Sequence, residues 1–171
     1  MIKLNITDLQ NILQKPIKRN CRILGLDVAA RTGWCVIYSN SKKIEIDYGF
    51  INLKTPDMYF KFDKFIEEMS FLIKKDDIVV IEDSFMQNNA WVLKMLAKME
   101  GIAYTVARLN KAKSIQFIMA SSSRKTIGIK GNCKKADVAN WLSNNLKVNL
   151  EDEDAADAIV LGLVGVLQNK V

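Results

Sequence analysis

The sequence predicts an α/β fold: a five-stranded mixed sheet, made of a three-strand antiparallel meander plus parallel strands, with helices on both faces. Residues 21–53 contain three apolar or alternating segments separated by turns, which is typical of a meander. Residues 57–119 alternate between helical and strand patterns, which favours parallel strands connected through helices. A chain of 171 residues is long enough for one domain with its own core.

The first twenty residues are predicted to be an N-terminal extension, residues 1–20, and the domain proper spans residues 21–171. In the extension, Thr7 or Asp8 is expected to cap a short helix that Pro16 ends. The meander follows, and its first strand is an apolar run expected to be buried on both faces. The three strands are predicted at residues 22–29, 34–38 and 43–53.

The rest of the chain predicts helices and strands in turn. A helix at residues 57–74 carries apolar side chains at helical spacing, and a buried strand at residues 77–82 ends in a carboxylate. The later elements are a long helix at 88–107, a strand at 114–119, a helical turn at 121–123 and helices at 133–146 and 154–168. Between the last strand and these helices, residues 128–132 form a basic loop that contains glycine.

The composition restricts the chemistry that the protein can perform. The chain contains no histidine, which excludes Ser-His-Asp and Cys-His catalysis and histidine-based zinc sites. Its three cysteines are far apart and odd in number, unlike a disulfide framework. No segment has the roughly 20 apolar residues of a membrane span, and the N-terminus lacks a signal-peptide pattern. We therefore expect a cytoplasmic protein with no membrane partner.

The charges are divided unevenly along the chain. The net charge is +6, from 25 basic and 19 acidic residues. Residues 101–136 contain eight basic residues and no acid, whereas residues 137–157 contain six acids and one lysine. This pattern favours a protein that grips phosphates and holds a divalent cation, although a solvated lysine-rich surface would give the same net charge.

Four carboxylates occupy positions that indicate function. Asp27 lies in an apolar strand and Glu82 ends another, where an unpaired charge costs on the order of several kcal/mol. A salt bridge or an exposed strand end is the alternative for each. Asp154 and Asp157 lie one turn apart on the same face of a helix. Helix capping would explain Asp154 well, but it explains Asp157 poorly because an apolar run follows directly.

Carboxylates that converged from two strands and one helix would repel each other unless cations separated them. Oxygen-only ligands select Mg²⁺ or Mn²⁺ over zinc. Two such ions about 4 Å apart form a site for in-line attack on a phosphodiester. One ion lowers the pKa of the attacking water and the other stabilises the leaving 3′ oxygen, so this chemistry needs no histidine.

In these features the sequence resembles the RuvC family of Holliday junction resolvases, within the ribonuclease H-like superfamily. The resemblance covers residues 21–170, and the order and spacing of its motifs make it specific, although each motif alone is weak. The matching segments are Ile23-Leu24-Gly25-Leu26-Asp27 with Arg31-Thr32-Gly33-Trp34, Val80 to Met86, Ser121 to Val138 with Gly131 and Lys135, and Asp154-Ala155-Ala156-Asp157-Ala158.

The resemblance implies a ribonuclease H-like fold and a Mg²⁺-dependent crossover junction endodeoxyribonuclease of DNA recombination and repair. Such an enzyme is a homodimer that binds branched DNA, chiefly four-way junctions. It makes paired cuts near the crossover and leaves 5′-phosphate and 3′-hydroxyl ends. Asp27, Glu82, Asp154 and Asp157 would hold two Mg²⁺ ions per active site, with Mn²⁺ as a substitute. Lys135 would complete the catalytic set near the scissile phosphate.

The resemblance also implies contacts with DNA. Phe85 would stack on an unpaired base at the crossover, unless it packs in the core. The helix at residues 88–107 is our candidate for the dimer interface, although its Trp91 and Met95 would serve a core equally well. The basic candidates, each of which would otherwise lie in a solvated loop, are Arg124, Lys125, Lys130 and Lys134.

Several departures from the family leave the substrate preference open. Val28-Ala29 stands where cellular members carry Pro-Gly, and the first turn and the basic loop are each one residue shorter. Residues 87–91 lack the basic residue often found there, and residues 1–20 have no counterpart in typical bacterial members. These departures bear on cleavage-sequence preference and junction selectivity, and they suggest a divergent, phage-type member of the family.

Other functions are compatible with parts of the pattern. A relaxed branched-DNA nuclease would also cut forks and flaps, and a non-catalytic junction-binding module would bind without cutting. YqgF-type proteins share the Gly-x-Asp of the first strand but have a different C-terminal acidic motif. An ATP-binding domain of the actin and sugar-kinase type needs two domains and a second glycine-rich loop, for which eight glycines in 171 residues leave little room.

Overall fold

The computed structural model describes residues 1–84, 89–148, 150 and 152–168. The strands are β1 (Ile2–Asn5), β2 (Cys21–Asp27), β3 (Arg31–Ser39), β4 (Lys43–Asn52), β5 (Ile78–Glu82) and β6 (Ser114–Ile118). The helices are α1 (Ile6–Leu13), α2 (Met58–Leu72), α3 (Ala90–Leu109), α4 (Ala120–Thr126), α5 (Lys135–Leu146) and α6 (Glu153–Val166). Among these residues, no helix has the length and apolar character needed to cross a membrane.

The described strands form one mixed sheet in the order β1-β4-β3-β2-β5-β6. Strands β2, β3 and β4 are the predicted antiparallel meander, and β5 and β6 continue the sheet as parallel strands. The α/β class is confirmed, but the prediction of five strands is wrong by one. The additional strand is β1, which pairs antiparallel with the outer edge of β4. A four-residue strand directly before a helix is too short to show a clear alternating pattern.

Two apolar cores lie on the two faces of the sheet. Helices α1, α5 and α6 cover one face, and α2 and α3 cover the other. Helix α6 is buried along almost its whole length, as its apolar sequence requires. It lies directly on β2, because a Cβ atom at Gly25 would be only 2.4 Å from the carbonyl oxygen of Ala158. Small residues on both elements therefore allow the backbones to touch.

The first twenty residues take part in the same core. Helix α1 begins at Ile6 with Asn5 in the cap position, so the prediction of Thr7 or Asp8 as the cap is wrong. Asn5 ends β1, and the chain turns directly from the strand into the helix. The segment after α1 pairs with the end of α6, where the amide of Lys18 donates to the carbonyl of Val166 at 2.7 Å.

Candidate active site

The ends of two neighbouring parallel strands bring the first two carboxylates together. Strands β2 and β5 pair in register, with Leu26 opposite Ile81, so Asp27 and Glu82 leave the sheet at the same edge. Asp27 is buried and Glu82 is half-buried. Burial, with the charges of Asp157 and Asp154 adding to it, raises the pKa of Asp27 to about 6 against the opposing effect of Lys135. Burial, followed by the charges of Asp27 and Asp157, raises the pKa of Glu82 to about 8.

The first two turns of α6 supply the other two carboxylates. Asp152 caps this helix, because its side chain accepts hydrogen bonds from the amides of Asp154 and Ala155 at 3.1 and 3.2 Å. Asp152 thus occupies the N-cap itself, and Asp154 lies in the first turn of the helix, where a negative charge is favourable. Asp157 lies one turn further along and is only 4% exposed. A buried carboxylate at that position requires a charged partner.

Lys135 lies at the centre of the carboxylates. It is the first residue of α5, and its Nζ lies 3.5 Å from Oδ2 of Asp27, 3.2 Å from Oδ1 of Asp154 and 3.3 Å from Oδ2 of Asp157. Although burial opposes it, the charges of Asp27 and Asp157 raise the pKa of Lys135. The ammonium group therefore stays protonated and offsets the repulsion among three carboxylates.

A second cation approaches the site from α4. One guanidinium nitrogen of Arg124 donates to the two oxygens of Asp157 at 3.0 and 3.2 Å, and another donates to the carbonyl of Cys133 at 3.0 Å. The side chain of Arg124 is 11% exposed, so it points into the site rather than into solvent. The other basic candidates are exposed: Lys125, Lys130 and Lys134.

A cleft of about 400 Å³ opens over the carboxylates. Asp27, Glu82 and Lys135 line one side, and Met119 and Ser121 line the side formed by the start of α4. The cleft is open to solvent and therefore accessible to a large substrate. Phe85, the predicted stacking residue, lies outside the described residues.

The donor atoms at this site are of the kind that Mg²⁺ and Mn²⁺ prefer. Asp27, Glu82, Asp154 and Asp157 offer only carboxylate oxygens, and the ammonium of Lys135 already draws three of these side chains toward one positive charge. Within residues 1–84, 89–148, 150 and 152–168, no group of three or more acidic or cysteine side chains is close enough to form a ready ligand set. The chemistry of these donors therefore suits a divalent cation, although their spacing in this structure is wider than a ligand set requires.

Sequence reasoning missed three of the ion pairs at this site. Arg31 contacts Asp152 and Asp154, although it precedes them by more than a hundred residues, and Arg124 binds Asp157. Arg31 lies within a motif that resembles the RuvC family, but the sequence around it does not indicate which carboxylates it pairs with. Only the docking of α6 on the meander brings these groups together.

Comparison with known proteins agrees with this geometry. The family model for the crossover junction endodeoxyribonuclease RuvC matches residues 23–164, a range that contains every acid of the site and Lys135. The structure resembles that of Thermus thermophilus RuvC, with a TM-score of 0.66 and 13% identity over 84% of this chain and 92% of that chain. It also resembles T. thermophilus RuvC in complex with a Holliday junction substrate, with a TM-score of 0.63 and 12% identity over 84% and 91% of the two chains. No curated protein sequence gives a significant match.

Proposed function

The chain belongs to the RuvC family of crossover junction endodeoxyribonucleases, and we propose that it resolves four-way DNA junctions by paired, metal-dependent cuts near the crossover. The observation that carries this proposal is the convergence of Asp27, Asp154 and Asp157 on Lys135, with Glu82 beside Asp27 at the same open edge of the sheet. A module that only bound junctions would gain nothing from burying mutually repelling carboxylates, since these raise the free energy of the fold.

The four carboxylates are proposed to hold two Mg²⁺ ions, for which Mn²⁺ can substitute. When bound, such ions would lower the pKa of the attacking water and stabilise the leaving 3′ oxygen. Cleavage of this kind would leave 5′-phosphate and 3′-hydroxyl ends. The raised pKa values of Asp27 and Glu82 support this assignment. They indicate that the cations of the protein do not fully stabilise the ionised carboxylates, and a bound divalent ion would stabilise them further.

Lys135 is proposed to contact the scissile phosphate. Its side chain is 44% exposed, so the ammonium group reaches the cleft while it remains within 3.5 Å of three carboxylates. A protonated amine in this position can stabilise charge on a phosphate oxygen as the phosphodiester bond breaks. Lys134 precedes it at the N-cap of α5, is exposed, and is the second candidate for a phosphate contact.

The DNA backbone is proposed to follow the basic surface beside the cleft. Lys125 at the end of α4 and Lys130 in the following loop are exposed, as phosphate contacts must be. Arg124 faces Asp157 and would act at the reacting phosphate rather than along the duplex. Phe85 follows Glu82 by three residues, and we propose that it stacks on an unpaired base.

A second copy of the chain is the proposed partner at the face formed by α2 and α3. An apolar groove of about 590 Å³ runs between these helices, and Ile66 and Leu109 at its rim are exposed. Exposed apolar grooves of this kind mark interaction surfaces. Of the two residues singled out in the sequence, Trp91 is 57% exposed and available to a partner, whereas Met95 is buried in the core.

A cleavage experiment tests the proposal. A labelled four-way junction, a matched linear duplex and a fork are incubated with the protein in Mg²⁺, Mn²⁺ or EDTA. Asp157→Asn is the inactive variant, and Asp63→Asn, a change to an exposed acid of α2, is its matched control. Paired, metal-dependent nicks confined to the junction are expected. Equal cutting of the fork would indicate a relaxed branched-DNA nuclease, and tight junction binding without cutting would refute the catalytic role of the four acids.

A further inference from the structure

Arg31, the first residue of β3, joins two carboxylates at the start of α6. Its guanidinium donates to Oδ1 of Asp152 at 2.9 Å and to Oδ2 of Asp154 at 2.6 Å, and a second nitrogen pairs with Oδ2 of Asp152. These charge-assisted hydrogen bonds from Arg31 lower the pKa of Asp152. Arg31 therefore connects the helix cap and a proposed metal ligand through a single rigid group.

An aromatic ring supports the guanidinium. Cζ of Arg31 lies 3.6 Å from the ring centroid of Phe50 in β4. The register of the sheet explains this contact, because Arg31 lies opposite Asn52 and Gly33 lies opposite Phe50. The ring is thus the diagonal neighbour of Arg31 on the adjacent strand, and it restricts the orientation of the guanidinium plane.

The backbone at Gly33 fixes the distance between β3 and α6. A Cβ atom on Gly33 would be 2.2 Å from the carbonyl oxygen of Asp154, so only glycine allows this approach. Arg31 lies two residues away on the same strand and reaches the side chain of the same aspartate. The backbone of Asp154 is therefore fixed by contact, and its carboxylate is fixed by Arg31.

The two oxygens of Asp154 face different cations. Oδ2 accepts from Arg31, whereas Oδ1 faces Nζ of Lys135 at 3.2 Å, in the centre that Asp27 and Asp157 also border. Because Oδ2 is held, the carboxylate cannot rotate without breaking its hydrogen bond to Arg31. We propose that Arg31 is a positioning residue that presents Oδ1 of Asp154 to the metal. This inference rests on the proposed function, in which Asp154 is a metal ligand.

Metal binding without DNA tests the inference. Mn²⁺ is titrated into the full chain by calorimetry for the wild type, Arg31→Ala and Arg31→Lys. Loss of a group that orients a metal ligand typically weakens metal affinity by about 10–100-fold, and we expect Arg31→Ala to raise the Kd for Mn²⁺ by this factor. Arg31→Lys keeps the charge, but one ammonium cannot reproduce the fork that holds both carboxylates. We therefore expect it to raise the Kd at least about 10-fold.

The charge of Arg31 alone would give the opposite pattern. A cation that acted only through its charge would repel Mn²⁺, so Arg31→Ala would bind Mn²⁺ more tightly and Arg31→Lys would match the wild type. Either result would overturn the inference. Arg108→Lys, a change to an exposed arginine of α3, is the control and should leave the Kd unchanged.

Further variants separate this inference from the proposed function. Phe50→Leu keeps every charge at the site but removes the aromatic ring on which the guanidinium of Arg31 stacks. We expect this loss to raise the Kd for Mn²⁺ a few-fold. An unchanged Kd would overturn the role of the ring. If Arg31→Ala fails to fold, this variant still tests whether the orientation of the Arg31 guanidinium affects Mn²⁺ affinity. A wild-type protein without Mn²⁺ binding, or Asp154→Asn with unchanged binding, would refute the metal site itself.

Discussion

Replacing Glu82 with glutamine should stabilise the metal-free protein while it removes the proposed nuclease activity. Glu82 is half-buried, and within the described part of the chain no cation forms an ion pair with it, although cations reach Asp27, Asp154 and Asp157. Burial first, and then the charges of Asp27 and Asp157, raise the pKa of Glu82 from 4.5 to about 8. Glutamine has nearly the same shape and carries no charge, so it avoids the cost of ionisation.

The sign and size of the effect follow from proton linkage. The folded state binds a proton at Glu82 more tightly than the unfolded state, so this group is most favourable below pH 4.5. Its contribution to the free energy of unfolding falls by about 1.4 kcal/mol per pH unit and levels off above the folded pKa. Glu82 therefore lowers the free energy of unfolding by about 3 kcal/mol at pH 7 and by almost nothing near pH 4.5. Glu82→Gln should recover this loss at pH 7.

Urea unfolding in EDTA at pH 5 and pH 7 measures this difference. Glu67→Gln, a change to an exposed acid on α2, is the matched control. The advantage of Glu82→Gln should be small at pH 5 and about 3 kcal/mol at pH 7, while Mn²⁺ should stabilise the wild type far more than the variant. A variant that is less stable than the wild type at pH 7, or a difference independent of pH, would refute the reasoning.

Other substitutions test the remaining roles. Asp27→Asn should abolish cutting and retain junction binding in a gel-shift assay, whereas loss of both would indicate misfolding. Lys135→Ala should slow cutting about 100-fold and weaken binding much less, and equal losses would make it only a DNA contact. Gly25→Ala should lower the free energy of unfolding by about 1–3 kcal/mol in urea, and a wild-type midpoint would contradict the direct contact of β2 with α6. Phe85→Ala should reduce base unstacking, followed by 2-aminopurine fluorescence at the crossover; an unchanged signal would assign Phe85 to the core.

Local patterns were sufficient to predict the elements that build the site. The apolar run that ends at Asp27 and the run that ends at Glu82 are strands. Their parallel pairing follows from the meander, whose third strand runs in the direction of its first, and from α2, which connects β4 to β5. The spacing of Asp154 and Asp157 places both on one face of α6, as predicted. These features depend on periodicity within ten residues, which the sequence displays directly.

Long-range contacts were not predictable in the same way. The edge strand β1 has four residues, and only its pairing with β4 identifies it. The cap of α6 is Asp152, which lies in a run of acids where several residues could perform that role. The pairs Arg31–Asp154 and Arg124–Asp157 depend on how α6 docks between the meander and α4, which no local pattern encodes.

The distribution of charge explains why the site is built from so many elements. The acids discussed above are Asp27, Glu82, Asp152, Asp154 and Asp157, and three cations pair with four of them: Arg31 from β3, Arg124 from α4 and Lys135 from α5. Of these five acids, Glu82 is the one without an ion pair in the described structure, and its pKa is raised to about 8. Four of these acids are thus held by cations and Glu82 is not, so the cost of ionising Glu82 in the metal-free site would be recovered when the proposed divalent cation binds.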